Sequence, residues 1–185
     1  MPAYTLAPTD TVIAPDGTIL YRIQYADGTR GGYLQSTANL DPTSDARVSD
    51  NARVLGDARV SGDARVSGNA RVLGDAGVYG NARVYGNAWV YGDAWVYGNA
   101  RVSGNAWVSE PQHCLTIGPL GSRAAILTVC RDSTLSVSYS TGCFFGSRDA
   151  FLAAVEATHG NSSFGNAYAA AVMLADHIVP PYMPE

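Results

Sequence analysis

A six-residue unit, Asp/Asn-Ala-x-Val-x-Gly, occurs eleven times in direct succession over residues 45–108. Its alanines recur from Ala46 to Ala106, and a valine follows each of them two places later. Glycine closes the second to tenth units, from Gly56 to Gly104, and the first unit ends in Asp50. A period of six matches neither the α-helical turn nor the heptad of a coiled coil. It predicts a three-sided β-solenoid in which each unit forms one side of a coil.

The side chains of the unit suit this role. Valine is β-branched and favours a pleated, half-buried site. The alanine lies two residues earlier, so both side chains point to the same side of the strand and fill a narrow interior. The glycine and the Asp or Asn after it tolerate positive φ and can bond to nearby backbone, which is what a corner between two sides requires.

The unit resembles the repeat of hexapeptide-repeat proteins that fold as left-handed parallel β-helices. That resemblance implies a left-handed coil and, as the typical assembly, a homotrimer. Eleven units at three per coil give about three and a half coils. We predict a mainly β protein with three parts: an N-terminal β segment and irregular first coil at 1–44, the solenoid at 45–110, and a small C-terminal α+β domain at 111–185. The flanking parts would cap the open ends of the stack.

Both flanks contain recognisable elements. Residues 1–12 are polar and threonine-rich and are expected to be loose, whereas 18–25 alternate like a strand between two Asp-Gly turns. Residues 31–44 are predicted to form an irregular first coil. In the C-terminal part we predict three strands and two helices. The strands lie at 114–118, 124–130 and 134–140; one helix begins after Ser147, and the second runs from Ser163 to about His177.

Composition narrows the function classes. The net charge of −4 does not favour binding to a nucleic-acid polymer. Cys114, Cys130 and Cys143 are widely spaced and form no Cys-x-x-Cys, which argues against a disulfide scaffold and a zinc site. No segment is typical of a signal peptide or a membrane span. We expect a protein of a reducing cytoplasm, with no metal and no cofactor.

Five stretches outside the repeat resemble motifs of phage and prophage proteins that also carry hexapeptide repeats. Two precede the repeat: LYRI at 20–23 and Gly-Gly-Tyr at 31–33. Three follow it: TIGPLGSR at 116–123, STGCFFG at 140–146 and ATHG at 157–160. The similarity implies a viral origin and a bacterial host cytoplasm, and it implies no particular chemistry.

Stacking by eighteen residues places the residue before each valine in columns on the outer surface. One column is Arg47, Arg65, Arg83 and Arg101, and a second is Arg53, Arg71, Trp89 and Trp107. Like charges on neighbouring strands repel, and corner aspartates with solvent offer one compensation. A bound anion or a partner subunit offers another. For a ligand, we predict phosphate contacts at Arg65 and Arg83, with Tyr85 or Trp89 stacking on a planar group.

The C-terminal part offers a second candidate site. Arg123 ends a glycine-rich turn, and Thr141, Gly142 and Phe144 form a turn before a helix, where backbone N–H groups can bind an anion. Cys143 in that turn and His159 at the helix end are candidates for a nucleophile–base pair. The alternative is a small buried cysteine and a helix-ending histidine.

Three functions fit these observations. The first is a non-enzymatic phage protein that binds a small anionic ligand, in its most concrete form a sponge that sequesters a nucleotide signal of host antiviral defence. The second is a structural module, a trimeric spacer whose C-terminal part docks a protein partner. The third is an enzyme that uses Cys143 and His159. An acyltransferase is disfavoured, because acyltransferases of the β-helix class usually rely on a histidine and an inserted loop, and this repeat has neither.

Overall fold

A computed structural model describes residues 3–183. The N-terminal part is antiparallel and has three strands: β1 (Tyr4–Ile13), β2 (Ile19–Tyr25) and β3 (Arg30–Leu34). The strand predicted at 18–25 is confirmed, whereas the prediction of a loose 1–12 segment is wrong over the described positions. Strand β1 looks polar because much of it is solvent-exposed at the sheet edge, where the missing N–H of Pro8 is tolerated.

Eleven two-residue strands follow, one in each repeat unit, and each ends in the buried valine. They are β4 (Arg47–Val48), β5 (Arg53–Val54), β6 (Arg59–Val60), β7 (Arg65–Val66), β8 (Arg71–Val72), β9 (Gly77–Val78), β10 (Arg83–Val84), β11 (Trp89–Val90), β12 (Trp95–Val96), β13 (Arg101–Val102) and β14 (Trp107–Val108). Every third strand pairs in parallel, so that Val66 lies beside Val84. The predicted β-solenoid is confirmed, with about four turns.

The solenoid has three faces. The first face consists of β4, β7, β10 and β13, and the third face consists of β6, β9 and β12. The second face consists of β5, β8, β11 and β14, and it continues through β3 into β2 and β1 as one seven-stranded sheet. The left hand implied by the family resemblance stays a prediction.

The interior and the corners follow the repeat chemistry. The alanine and valine of every unit are almost completely buried. The corner glycines have positive φ and stack on one another: a Cβ on Gly74 would approach the backbone nitrogen of Gly92 to 3.0 Å. Asp50 replaces one of these glycines at φ 57°, and its carboxylate accepts a hydrogen bond from the Gly68 N–H at 2.9 Å. That bond offsets the strain of a left-handed aspartate.

The N-terminal cap covers the first coil with buried polar side chains. Leu34 and Leu40 occupy the level below the first full coil, paired with Val54 and Val60. Asn39 is 1% exposed, and its amide donates to the carbonyl oxygens of Gly56 and Ala58, both at 2.9 Å. The carbonyls at the open edge thus have partners. An irregular first coil is what the sequence predicted for this region.

The C-terminal part is a four-stranded antiparallel sheet followed by two helices. Its strands, in sheet order, are β15 (Cys114–Leu120), β16 (Ala125–Asp132), β17 (Ser136–Thr141) and β18 (Phe144–Ser147). The helices are α1 (Arg148–His159), capped by Ser147, and α2 (Ser163–Ile178), capped by Ser162. The predicted α+β unit is confirmed, but β18 was missed because its four residues directly follow a two-residue turn. Neither helix is long and apolar enough to cross a membrane.

Strand β16 closes the upper end of the solenoid. The Arg101 N–H donates to the Thr128 hydroxyl at 3.0 Å, and the Ser133 N–H donates to the Asn105 carbonyl oxygen at 3.1 Å. The Cys130 side chain packs into the solenoid core. It is bonded to Cys114, its cross-strand partner. This disulfide contradicts the expectation of unpaired cysteines, because spacing along the chain does not reveal which residues face each other across a hairpin.

His113 supports the junction between the solenoid and the cap, and it makes the junction sensitive to pH. Its ring is 4% exposed, with Nδ1 3.1 Å from the Ser109 hydroxyl and Nε2 3.0 Å from an Arg131 guanidinium nitrogen. Arginine can only donate, so Nε2 accepts and the ring is neutral. Burial, and then the Arg131 charge, lower the pKa of His113 below its ordinary value of 6.5.

We therefore expect the free energy of unfolding to fall as the pH drops below about 6.5, because His113 becomes protonated in the unfolded chain there but stays neutral in the folded chain. Above that pH this contribution is constant. Denaturant unfolding of the wild type and of His113→Gln between pH 5 and 8 checks this. The variant is expected to have the shallower slope on the acid side, and equal slopes would contradict the assignment.

Candidate ligand-binding site

The first face carries a column of four arginines in register: Arg47, Arg65, Arg83 and Arg101. Each precedes a buried valine, so its side chain points away from the core. Neighbouring members lie on adjacent strands, about 4.8 Å apart. The face therefore holds a line of positive charge parallel to the solenoid axis.

The two caps hold the ends of this column. Arg47 forms an ion pair with Asp27 at 2.7 Å, and hydrogen bonds from Thr29 and from Arg47 lower the pKa of Asp27 to about 2. At the other end, Arg101 donates from Nη1 to the Gly142 carbonyl oxygen at 3.1 Å. These contacts position the outer guanidinium groups, but only the first neutralises a charge.

The middle arginines are uncompensated. Arg65 and Arg83 are exposed, and neither has an ion pair or a side-chain hydrogen bond within the part of the chain that the structure describes. Guanidinium groups on adjacent strands repel each other unless solvent screens them or an anion binds to both. Their five N–H donors each are free to meet such an anion.

The corner residue two places before each arginine decides where positive charge is in excess. It is aspartate in the lower coils, at Asp45 and Asp63, and asparagine in the upper coils, at Asn81 and Asn99. The lower arginines thus lie near acids, although neither corner acid lies within ion-pair distance of an arginine. The upper arginines have neutral amide neighbours.

Two adjoining depressions follow the column, and we call them together the arginine groove. The lower one, of about 500 Å³, is lined by Arg47, Arg65 and Arg83 together with both corner aspartates. The upper one, of about 480 Å³, is lined by Asn81, Arg83, Asn99, Arg101, Ala125, Ile126 and Gly142, with no acid. Both include Arg83. The upper half of the groove is therefore the better anion site.

A third depression, the tail cavity, continues from the upper groove into the C-terminal unit. It has a volume of about 330 Å³ and shares Ala125 and Gly142 with the groove. Its wall contains aromatic rings, and Arg123 lies at its exposed edge. The structure thus brings Arg123, Thr141, Gly142, Cys143, Phe144 and His159 around one cavity.

Three wall residues bear on the chemistry of the tail cavity. The hydroxyl of Thr141 is buried and has no hydrogen-bond partner among the described residues. The ring of His159 stacks on Tyr168, with centroids 5.6 Å apart. Cys143 is exposed, so the alternative of a buried cysteine is wrong, and within residues 3–183 no hydrogen bond joins it to His159. The two candidate catalytic residues share a cavity wall without forming a nucleophile–base contact in this structure.

The predicted stacking residues lie on different faces. Tyr85 follows Arg83 by two residues, so both point outward from the first face, and the tyrosine is 37% exposed. Trp89 lies on the second face, with the Arg71 guanidinium 4.5 Å from its centroid and Trp107 stacked on it at 5.0 Å. Trp89 is therefore separated from the arginine groove and already stacked within the chain.

Sequence reasoning missed several groove residues. Asn81 and Asn99 carried a readable signal, because the change from aspartate to asparagine at one corner coincides with the loss of negative charge. Ala125 and Ile126 carried none, because they reach the groove only through the docking of β16 on the last coil.

Comparison with known families supports the solenoid. A family model described as the YdcK beta solenoid repeat matches residues 46–62, 58–74, 64–80, 76–92 and 94–110. These matches lie within the repeat region and do not reach the C-terminal sheet and helices. No curated protein matches the chain.

Proposed function

We propose that this chain is a non-enzymatic binding protein for a small anion with several negative groups, and that the ligand is a nucleotide. One observation carries the proposal. Arg83 and Arg101 are neighbours in an acid-free depression, and Arg65 continues the same column without an ion pair. Phosphate oxygens accept the paired N–H donors of arginine, and such charge-assisted bonds are the strong ones.

The tail cavity supports a nucleotide over a plain polyanion. It joins the upper groove through Gly142 and Ala125, so one molecule can reach both. The half-buried ring of Phe144 lies in its wall and offers a planar, apolar surface of the kind on which bases stack. In this arrangement the phosphates lie on the arginines and the base lies in the cavity, with Arg123 at its entrance.

The biological setting belongs to the same proposal. The phage-like motifs of the flanks favour a viral protein in a bacterial cytoplasm that sequesters a nucleotide signal of antiviral defence. The third face favours self-association, with a homotrimer as the proposed state. There Trp95 is 57% exposed and Tyr97 is 63% exposed, and Tyr79 packs edge-on against Trp95.

Calorimetry with a panel of anions tests the proposal. We expect heat and saturation with linear or cyclic nucleotides that carry two or more phosphates, weaker binding of pyrophosphate, and none of the matching nucleosides. The bound nucleotide should be recovered chemically unchanged after the protein is denatured. If no phosphate compound binds, the role proposed for the groove is wrong.

Two alternatives predict different results. If the bound nucleotide is recovered altered, and Cys143→Ala abolishes the change, the enzyme hypothesis replaces the sponge. If no nucleotide binds and the full chain captures a single host protein, the structural module is favoured. The exposed aromatic residues of the third face are the observation in favour of that module.

A further inference from the structure

A separate cavity lies on the second face of the solenoid, beside the turn between β1 and β2. We call it the second-face cavity, and its volume is about 200 Å³. Its walls are Ala14, Pro15, Asp16, Arg53, Leu55, Arg71, Leu73 and Trp89. None of these residues lines the arginine groove or the tail cavity.

Two half-buried arginines meet in this cavity without a counterion. Arg53 and Arg71 are register partners on adjacent strands. Within residues 3–183 no carboxylate lies at ion-pair distance from either guanidinium group. Burial lowers the pKa of Arg71, and the Arg53 charge lowers it further. Their pairing on adjacent strands and their partial burial thus place two guanidinium groups close together and partly out of solvent.

The remaining charged group does not cancel this pair. Asp16 is on the cavity wall, but its carboxylate accepts the Thr18 N–H at 3.0 Å, a bond that lowers the pKa of Asp16. The cavity thus has two positive groups and one negative group. This balance favours a ligand with a single negative charge over a polyphosphate or a cation.

The other walls are apolar. Leu55 and Leu73 each lie two positions after an arginine of the pair, and so point to the same side of the sheet. Leu55 also packs against the buried cluster of Ala14, Leu20 and Tyr33. Trp89 forms one end wall of the cavity, and the Arg71 guanidinium lies over its ring. Charged and apolar walls therefore meet in one small space.

We propose that the second-face cavity binds a small monocarboxylate with an apolar body. A carboxylate matches the planar fork of arginine, and the leucines with the tryptophan accommodate the hydrocarbon part. At roughly 30 Å³ per water the cavity has room for about seven waters, the size of a short-chain acid of about six carbons. The site is independent of the nucleotide proposal, since the two share no residue.

Titration of the full chain with hexanoate, followed by the indole N–H resonance of Trp89 in NMR spectra, tests this inference. We expect a saturable shift of that signal, with Kd in the low millimolar range, about 1–5 mM. Acetate and hexanol, which lack the apolar body and the charge respectively, are expected to bind at least ten times more weakly. A response to hexanol equal to that of hexanoate would overturn the proposal, as would an equal response to acetate or no saturation.

Matched variants separate this site from general charge effects. Arg53→Gln is expected to weaken hexanoate binding at least tenfold, whereas Arg59→Gln, an exposed arginine at the same repeat position on the third face, is expected to leave it unchanged. Asp16→Asn keeps the oxygen that accepts the Thr18 N–H and removes a competing charge, so it is expected to tighten binding severalfold. Weaker binding in Asp16→Asn, or equal losses in both arginine variants, would contradict the assignment.

Discussion

Replacement of Arg83 by glutamate is expected to weaken nucleotide binding by about a hundredfold, or about 3 kcal/mol. Arg83 is the one described arginine that lines both halves of the arginine groove, and among residues 3–183 it has no ion-pair partner. The substitution removes charge-assisted hydrogen bonds and places a carboxylate where the phosphates are proposed to lie. Calorimetric titration with the tightest nucleotide of the panel measures the effect.

The fold is expected to survive this change. The new carboxylate would lie between Arg65 and Arg101 on the neighbouring strands, where an opposite charge is mildly favourable. The thermal midpoint of Arg83→Glu should therefore not fall below that of the wild type. A lower midpoint would mean that the loss of nucleotide binding results from a destabilised fold and not from a change in the groove.

Arg59→Glu is the matched control. It changes the net charge equally and occupies the same position of its repeat unit, but it lies on the third face. We expect it to bind nucleotide like the wild type. If both variants lose affinity equally, binding reflects overall charge, and the assignment of the site to the groove is wrong.

Asn39→Asp is expected to destabilise the fold by about 3–5 kcal/mol at neutral pH. The asparagine amide is buried and donates to the carbonyl oxygens of Gly56 and Ala58, while its own oxygen accepts the Ser36 N–H at 2.9 Å. The near-isosteric carboxylate keeps the acceptor but faces two carbonyl oxygens with no donor. It is thus a buried charge against like-signed dipoles. Denaturant unfolding at pH 7 measures the loss.

The pH dependence identifies the cause. A carboxyl group in this site has a folded-state pKa raised above its ordinary value of about 3.9, because burial and the carbonyls disfavour its charged form. The penalty is complete above the raised pKa and shrinks as the pH falls through it toward about 4. Asn161→Asp, in an exposed turn, is the control and should show no such recovery. A loss in Asn39→Asp that does not change with pH would point to misfolding and not to a buried charge.

The repeat made the solenoid predictable because each unit specifies its own local geometry. Valine and alanine two residues apart select the inner side, and a glycine with positive φ turns the corner. Six residues per side and three sides per coil then give a stacking interval of eighteen, which places Val66 beside Val84. A slip of one residue would bring arginines into the tube, where burial of their unpaired charges is costly.

The structure of the caps was predictable only in part, because it depends on contacts between segments that are distant in the sequence. The helix after Ser147 carries a local capping signal, and both it and the helix from Ser163 were predicted. Strand β1 depends on pairing with β2 and on the hydrogen bond from the Tyr4 hydroxyl to the Leu40 carbonyl oxygen at 2.6 Å. A polar segment that contains a proline carries no local sequence signal for these tertiary partners.

The candidate site, like the caps, was predictable from the sequence only in part. The repeat period by itself determined the arginine column, since a period of six residues and three sides fixes which residues stack. The tertiary structure decided the rest: docking of the C-terminal unit set the Gly142 carbonyl on Arg101, and folding of that unit brought Arg123 and His159 to one cavity. Local periodicity encodes neighbours within the coil, whereas contacts between the coil and its caps arise only when separate surfaces pack together.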